Sequence, residues 1–265
     1  MKKLVLTLLL PVLLAGCATT KSPTGRSQVL LFDKTQMTEM GGQSFAAMKK
    51  EQKVSTDKQK IAYVSCIANR ITAELPDQSL QWEVVVFDSE QVNAFALPGG
   101  HIGVYTGLLT VASDEDQLAT VIGHEVAHVL ARHGNEQVSR AQMTNTGMQL
   151  ADVALGAGGV SNKDMYMAGL GLGAQVGILL PFGRDQESEA DELGLELMAK
   201  AGFNPAKSVI LWQNMAKAGG EQGPELFSTH PSHSSRISDL QALQTKVTPL
   251  YQAAKKQSPT QCKKG

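Results

Sequence analysis

The chain lacks an excess of charge of either sign: 24 Lys and Arg stand against 25 Asp and Glu in 265 residues, a formal net charge of −1. With no basic patch to break that balance, it carries no electrostatic footprint for nucleic acid, and nucleic acid is not an expected partner. Cysteine is scarce too. Cys17, Cys66 and Cys262 are far apart, and none has a second cysteine at the short spacing of a thiolate zinc site. No internal repeat is visible, and no change of composition marks a domain boundary beyond residue 32. Strand patterns are confined to Trp82–Phe87 (WEVVVF), Val92–Leu97 (VNAFAL) and His101–Tyr105 (HIGVY), with a Pro98-Gly99-Gly100 turn between the last two. No strong strand pattern returns after Arg132. The expectation is a mainly helical α+β domain with one small sheet.

Long apolar runs are few. Lys2-Lys3 followed by Leu4 to Leu14 reads as a targeting segment, too short to span as an ordinary membrane helix. Leu14-Ala15-Gly16-Cys17 resembles a bacterial lipobox, which implies lipidation of Cys17 and removal of residues 1–16. Ala18, where sorting rules of two-membrane bacteria would place aspartate for retention, suggests the periplasmic face of the outer membrane. Removing Lys2 and Lys3 leaves 22 basic against 25 acidic residues. Residues 17–32, broken by Pro23 and Gly25, read as a lipidated flexible tether, and residues 33–265 as one domain. In an oxidising exported compartment Cys66 and Cys262 are expected to pair, tying the chain's end to an early helix.

The chemistry lies in His124-Glu125-Val126-Ala127-His128. Two histidines four apart share one face of a helix, a turn apart. Their imidazoles can reach one zinc ion, and Glu125 between them can reach a water there. The flanks predict the helix. Ser113 is the expected cap, with acids at 114–116, and Leu118, Val121, Ile122, Val126, Val129 and Leu130 recur near the 3.6 period. Gly134-Asn135 reads as the stop. A buried His-Glu-His trio without a metal would be costly to satisfy.

A zinc hydrolase needs a third protein ligand. His133 follows His124 by nine residues, which turns it to the far side of the helix; it reads as structural, as do His101 and His233. The remaining source is the acidic start of a second helical pattern, Gln186-Glu187-Ser188-Glu189-Ala190-Asp191. Glu187 and Asp191 share a face while Glu189 points away. One carboxylate can take the metal and its neighbour can accept the other N–H of a ligand histidine, fixing the tautomer. Geometry alone leaves open which acid does which.

HEVAHVLARH followed by ESEAD resembles the gluzincin peptidases that include the CAAX prenyl endopeptidases, the bacterial heat-shock membrane protease and periplasmic lipoprotein relatives. The match to that family's E-x-x-A-D implies Glu187 as third ligand and Asp191 as its supporting acid. A late His-Pro followed by Arg is matched by His230-Pro231 and Arg236, which implies both in the active site. Asn93-Ala94-Phe95-Ala96 matches the family's substrate-holding edge strand. The resemblance spans roughly residues 35–250. The intramembrane helices of the prenyl-protease branch are missing, which points to the lipoprotein branch.

The implied activity is zinc-dependent endoproteolysis with one zinc ion, Glu125 as general base, and Arg236 or His230 stabilising the charged intermediate. Extended or misfolded envelope proteins would add to the edge strand. The apolar Met165–Phe182 reads as a buried helix and a candidate lid over the metal. The competing reading is an envelope chaperone or assembly factor whose zinc is closed by His230 as a fourth ligand.

Overall fold

The computed structural model describes residues 19–157, 182–218, 226–230, 235–257 and 261–264; Cys17, His233 and all of the 165–182 apolar segment except Phe182 lie outside them. In chain order the elements are β1 (Thr19–Lys21), β2 (Ser27–Val29), α1 (Lys34–Glu51), α2 (Lys58–Thr72), β3 (Glu83–Phe87), β4 (Ala94–Leu97), β5 (His101–Tyr105), α3 (Leu108–Val111), α4 (Glu115–Leu130), α5 (His133–Ala157), α6 (Arg184–Lys200), α7 (Lys207–Ala218), α8 (Leu226–Thr229) and α9 (Arg236–Lys255). The mainly helical α+β expectation holds. Among the described residues no helix is long and apolar enough to cross a membrane.

The chain divides into two compact units, one of residues 34–131 and 181–265, the other of residues 1–33 and 132–180. In the first, a three-stranded sheet runs in the order β3-β5-β4. β3 lies parallel to β5, with Val85 opposite Gly103, and β4 lies antiparallel to it, with Phe95 also opposite Gly103. Alternation sends Val86, Ala94, Ile102 and Val104 into the main core with α2 and α4. It sends Phe87, Phe95, Leu97 and Tyr105 to the other face, against Phe45 of α1. Both faces are therefore covered, which is why these strands read as nearly continuous apolar runs.

α2 begins where expected because Asp57 accepts from the Gln59 and Lys60 amides. Two termini differ from the sequence reading. The cap of α4 is Asp114, whose carboxylate accepts from the Gln117 amide at 2.9 Å, while Ser113 accepts from the Gln117 side chain at 2.6 Å. Gly134-Asn135 does not end helical structure: α4 stops at Leu130 and a new helix starts at His133, because Arg132 adopts a left-handed φ of 60°. Cys66 of α2 and Cys262 are disulfide-bonded, with Cα atoms 5.7 Å apart.

In the second unit residues 19–29, expected as flexible tether, form the antiparallel β1–β2 hairpin instead. Its turn is closed by the Ser22 amide donating to the Arg26 carbonyl at 2.8 Å. Arg26 forks onto Glu136 of α5 at 3.0 and 2.7 Å, and Asn135 donates to the Phe32 carbonyl at 2.6 Å. Glu136 supplies a partner a hundred residues away in the sequence, which composition cannot reveal.

Candidate metal centre

The site starts from a helix that is buried on every side. Every residue of α4 from Gln117 to His128 is buried, the mark of a core helix. His124 and His128 sit a turn apart with their Nε2 atoms 3.1 Å from each other. α6 crosses this helix at Gly123 and Gly194. A Cβ on Gly194 would lie 2.8 Å from the His124 amide nitrogen, and one on Gly123 would lie 2.9 Å from the Gly194 carbonyl oxygen. The two backbones touch there. Glu187, Asp191 and Gly194 fall on one helical face at i, i+4 and i+7, so the same contact carries both carboxylates to the histidines.

His124, His128, Glu187 and His230 each place one donor atom within 4.8 Å of the other three, and all four side chains are buried. Glu187 Oε1 lies 3.4 Å from His128 Nε2 and 3.0 Å from His230 Nδ1, and its Oε2 lies 3.4 Å from His124 Nε2. Asp191 instead meets the other side of the first histidine, Oδ1 to His124 Nδ1, at 3.0 Å. The ambiguity between the acids is thus divided by position: Glu187 is inside the donor cluster and Asp191 behind it. Glu189 is buried but not part of the cluster.

Arg236, the first residue of α9, is fully buried. One terminal nitrogen donates to Glu187 Oε2 at 2.9 Å and the other to Asp191 Oδ1 at 2.7 Å. Its guanidinium lies 3.5 Å from the centre of the Trp212 ring on α7. Three helices thus converge on the two carboxylates. Trp212 was not singled out from the sequence, and nothing in its local pattern separates it from a core tryptophan. Phe182 is a second residue placed by the fold, its ring 4.1 Å from that of His128 and 5.2 Å from that of His230.

Two buried carboxylates face one buried guanidinium, so the cluster lacks one positive charge. Burial pushes His124 down, but the Glu187 charge and the Asp191 bond outweigh it and hold the imidazole up at about 9. Burial would raise Glu187, yet His124, His128 and His230 keep it far below the usual carboxylate range. Asp191 is likewise held low, against burial, by Arg236 and His124. His128, with burial dominant, is well below its ordinary value. A proton on His124 supplies that charge here, and a metal cation among these donors would take its place. The set of two or three imidazole nitrogens and one carboxylate fits a metal of borderline softness. Glu125 stands apart from the donors. Burial raises its pKa, and its Oε1, 3.4 Å from His230 Nε2, has no hydrogen-bond partner.

The edge strand is built by register. The Tyr105 amide donates to the Asn93 carbonyl at 3.1 Å, so Asn93, Phe95 and Leu97 face β5 with their backbone groups. Ala94 and Ala96 therefore turn theirs to the side of β4 that no described strand pairs. The Ala94 amide is taken by the Asn93 side chain at 2.9 Å. The Phe95 ring does not face that edge: its far end occupies the place a Cβ on Gly103 would take, on the α1 side.

The description of peptidase family M48 matches residues 58–244, a span from α2 into α9. The mitochondrial metalloendopeptidase OMA1 of Schizosaccharomyces pombe is 38% identical over 181 residues, covering 68% of this chain and 51% of the relative. The human metalloendopeptidase OMA1 is 31% identical over 243 residues, covering 83% of this chain and 44% of its own length. The beta-barrel assembly-enhancing protease of Yersinia pestis is 30% identical over 196 residues, covering 71% and 39%. The chain spans about half the length, or less, of these curated relatives.

Proposed function

The chain belongs to peptidase family M48, and from that premise we propose that it is a zinc-dependent endopeptidase acting on extended or misfolded protein segments. His124, His128 and Glu187 would hold the metal, with Asp191 fixing the His124 ring from behind. When bound, zinc supplies Lewis-acid polarisation of the scissile carbonyl and makes water acidic near neutral pH. The observation that carries the reading is Glu125. It is buried beside the donor cluster with a carboxylate oxygen unclaimed by any hydrogen bond, and its raised pKa suits a group that takes a proton and returns it to the leaving amine.

Arg236 spends its terminal nitrogens on Glu187 and Asp191, so its role is to position carboxylates. His230, with Nε2 directed at Glu125, is the better placed of the two for charge on the tetrahedral intermediate, a task typically worth ~2.7–4 kcal/mol. Substrate backbone would pair with the Ala94 carbonyl and with Ala96, giving recognition of extended chain over side-chain identity. The lipobox resemblance at Cys17 supports a lipoprotein at the periplasmic face of an outer membrane, and the name of the Yersinia relative, a beta-barrel assembly-enhancing protease, supports work connected with the assembly of β-barrel proteins there. Glu125→Gln should keep its zinc and lose cleavage of an unfolded substrate by 10²-fold or more, on the order of a general base's contribution. Undiminished turnover would refute the mechanism.

A second reading has one observation in its favour. His230 Nδ1 lies 3.3 Å from His124 Nε2 and 3.0 Å from Glu187, inside the donor cluster. A fourth protein ligand there makes a closed site, as a chaperone or assembly factor with latent zinc would have. Rescue of a deletion strain by Glu125→Gln favours the chaperone; failure to rescue favours the peptidase.

A further inference from the structure

The β1–β2 hairpin begins at Thr19, two residues beyond Cys17. If Cys17 carries the lipid, the reach from acyl attachment to folded protein is roughly 7 Å. With one residue between the two, the hairpin would then lie at the headgroup layer. The charge of this region is opposite to that of the rest. Lys21, Arg26, Arg132 and Arg140 stand against Asp33, Glu136 and Asp152 over residues 19–33 and 132–157, a formal +1, which leaves the remainder of the processed chain at −4. Arg26 is spent on Glu136 at 2.7 Å. Lys21 is exposed, and the Arg140 side chain is 53% exposed although it too reaches Glu136, at 3.6 Å. Arg132 donates to Thr20 Oγ1 and to the Lys21 carbonyl at 3.5 and 3.3 Å, which fixes it beside the hairpin. Leu31 and Met143, each 44% exposed, are large apolar side chains in the same unit.

We propose that the β1–β2 hairpin and the first turns of α5 form a docking face for anionic phospholipid headgroups, with Lys21, Arg132 and Arg140 as its cations. The inference rests on the lipid-anchor reading of Cys17. The lipid supplies affinity; the cations, held within about a Debye length of the surface, set which face of the unit lies down. Each is worth roughly five-fold in partitioning to an anionic surface.

The test uses the full lipoprotein in vesicles of phosphatidylcholine alone or mixed with phosphatidylglycerol. A fluorophore is attached through Thr24→Cys in the hairpin turn, the other cysteines being acylated or held in the Cys66–Cys262 bond. A lipid with a spin-labelled headgroup serves as quencher. Quenching should be stronger in the anionic vesicles and fall with added salt. The Lys21→Gln/Arg140→Gln variant should still float with vesicles and lose the phosphatidylglycerol dependence. Flotation without quenching at Thr24, or quenching indifferent to lipid charge, overturns the docking face and leaves the anchor standing. Failure of the full lipoprotein to float overturns the anchor, and the docking face with it.

Discussion

His124 is held from both sides of its ring. Asp191 meets Nδ1 at 3.0 Å and Glu187 approaches Nε2 at 3.4 Å, while Arg236 binds both acids. A ligand histidine whose second nitrogen is fixed in this way has one tautomer and one ring orientation. Asp191→Asn is nearly isosteric but carries no charge and presents an amide where His124 needs an acceptor. Its zinc affinity, measured by chelator competition, should fall about 10- to 100-fold with little change in helix content. Unchanged affinity would remove Asp191 from this role. The spacing of Glu187 and Asp191 was legible in the sequence because i and i+4 share a helical face. The division of labour between them was implied by the family resemblance but was not legible from helical geometry, because it depends on where α6 crosses α4. Trp212 under Arg236 was invisible for a related reason: a tryptophan in an apolar stripe looks the same whether it covers a guanidinium or another side chain.

At the scale of elements, the crossing of α4 and α6 is decided by two glycines. Gly194→Ala puts a methyl group 2.8 Å from the His124 backbone nitrogen, and backbone cannot step aside as a side-chain tip can. The helices must separate, at about 1–3 kcal/mol of overpacking, and the carboxylates move off the histidines. Denaturant unfolding and zinc titration should both register the change. Gly147, in the middle of α5, is the counterpart: a Cβ there meets nothing within 4 Å. Gly147→Ala should stabilise by roughly 0.5–1 kcal/mol, and a destabilised protein would contradict the open surroundings of that helix face. The position of the motif helix followed from apolar period and first-turn acids. Its ends did not. Ser113 and Asp114 are both competent caps, and the geometry of the turn chose Asp114. Arg132, with its left-handed φ, interrupts the helix ahead of Gly134-Asn135, which the sequence offered as the stop.

At the scale of the whole molecule, the Cys66–Cys262 bond spans 196 residues and fastens the chain's last described residues. The Cys262 amide donates to Glu115 at 2.7 Å, and Lys264 donates to the Leu109 and Ala112 carbonyls at 2.7 and 3.0 Å. Closing so long a loop constrains the unfolded chain strongly, so Cys66→Ser should cost about 2–5 kcal/mol in urea unfolding. The donor cluster shares no residue with this clasp, so zinc stoichiometry should persist in the folded variant; its loss would show that the clasp supports the site.

What the amino-acid sequence determined alone is whatever is encoded within a few helical turns. That includes the His124-Glu125-x-x-His128 face, the Glu187 and Asp191 pair, the alternation of the three strands, and the helical character of the rest. These follow from fixed repeats of 3.6 and 2 residues, which need no knowledge of neighbours. Only the tertiary structure gave the physical reason that Glu187 enters the donor cluster while Asp191 stands behind it, and only it decided that Arg236 is buried against both, that Ala94 and Ala96 turn to the side of β4 that no described strand pairs, and that residues 19–29 are a hairpin pinned to Glu136. Each depends on partners tens to hundreds of residues away, and such contacts are set by packing, which leaves no period in the sequence to read.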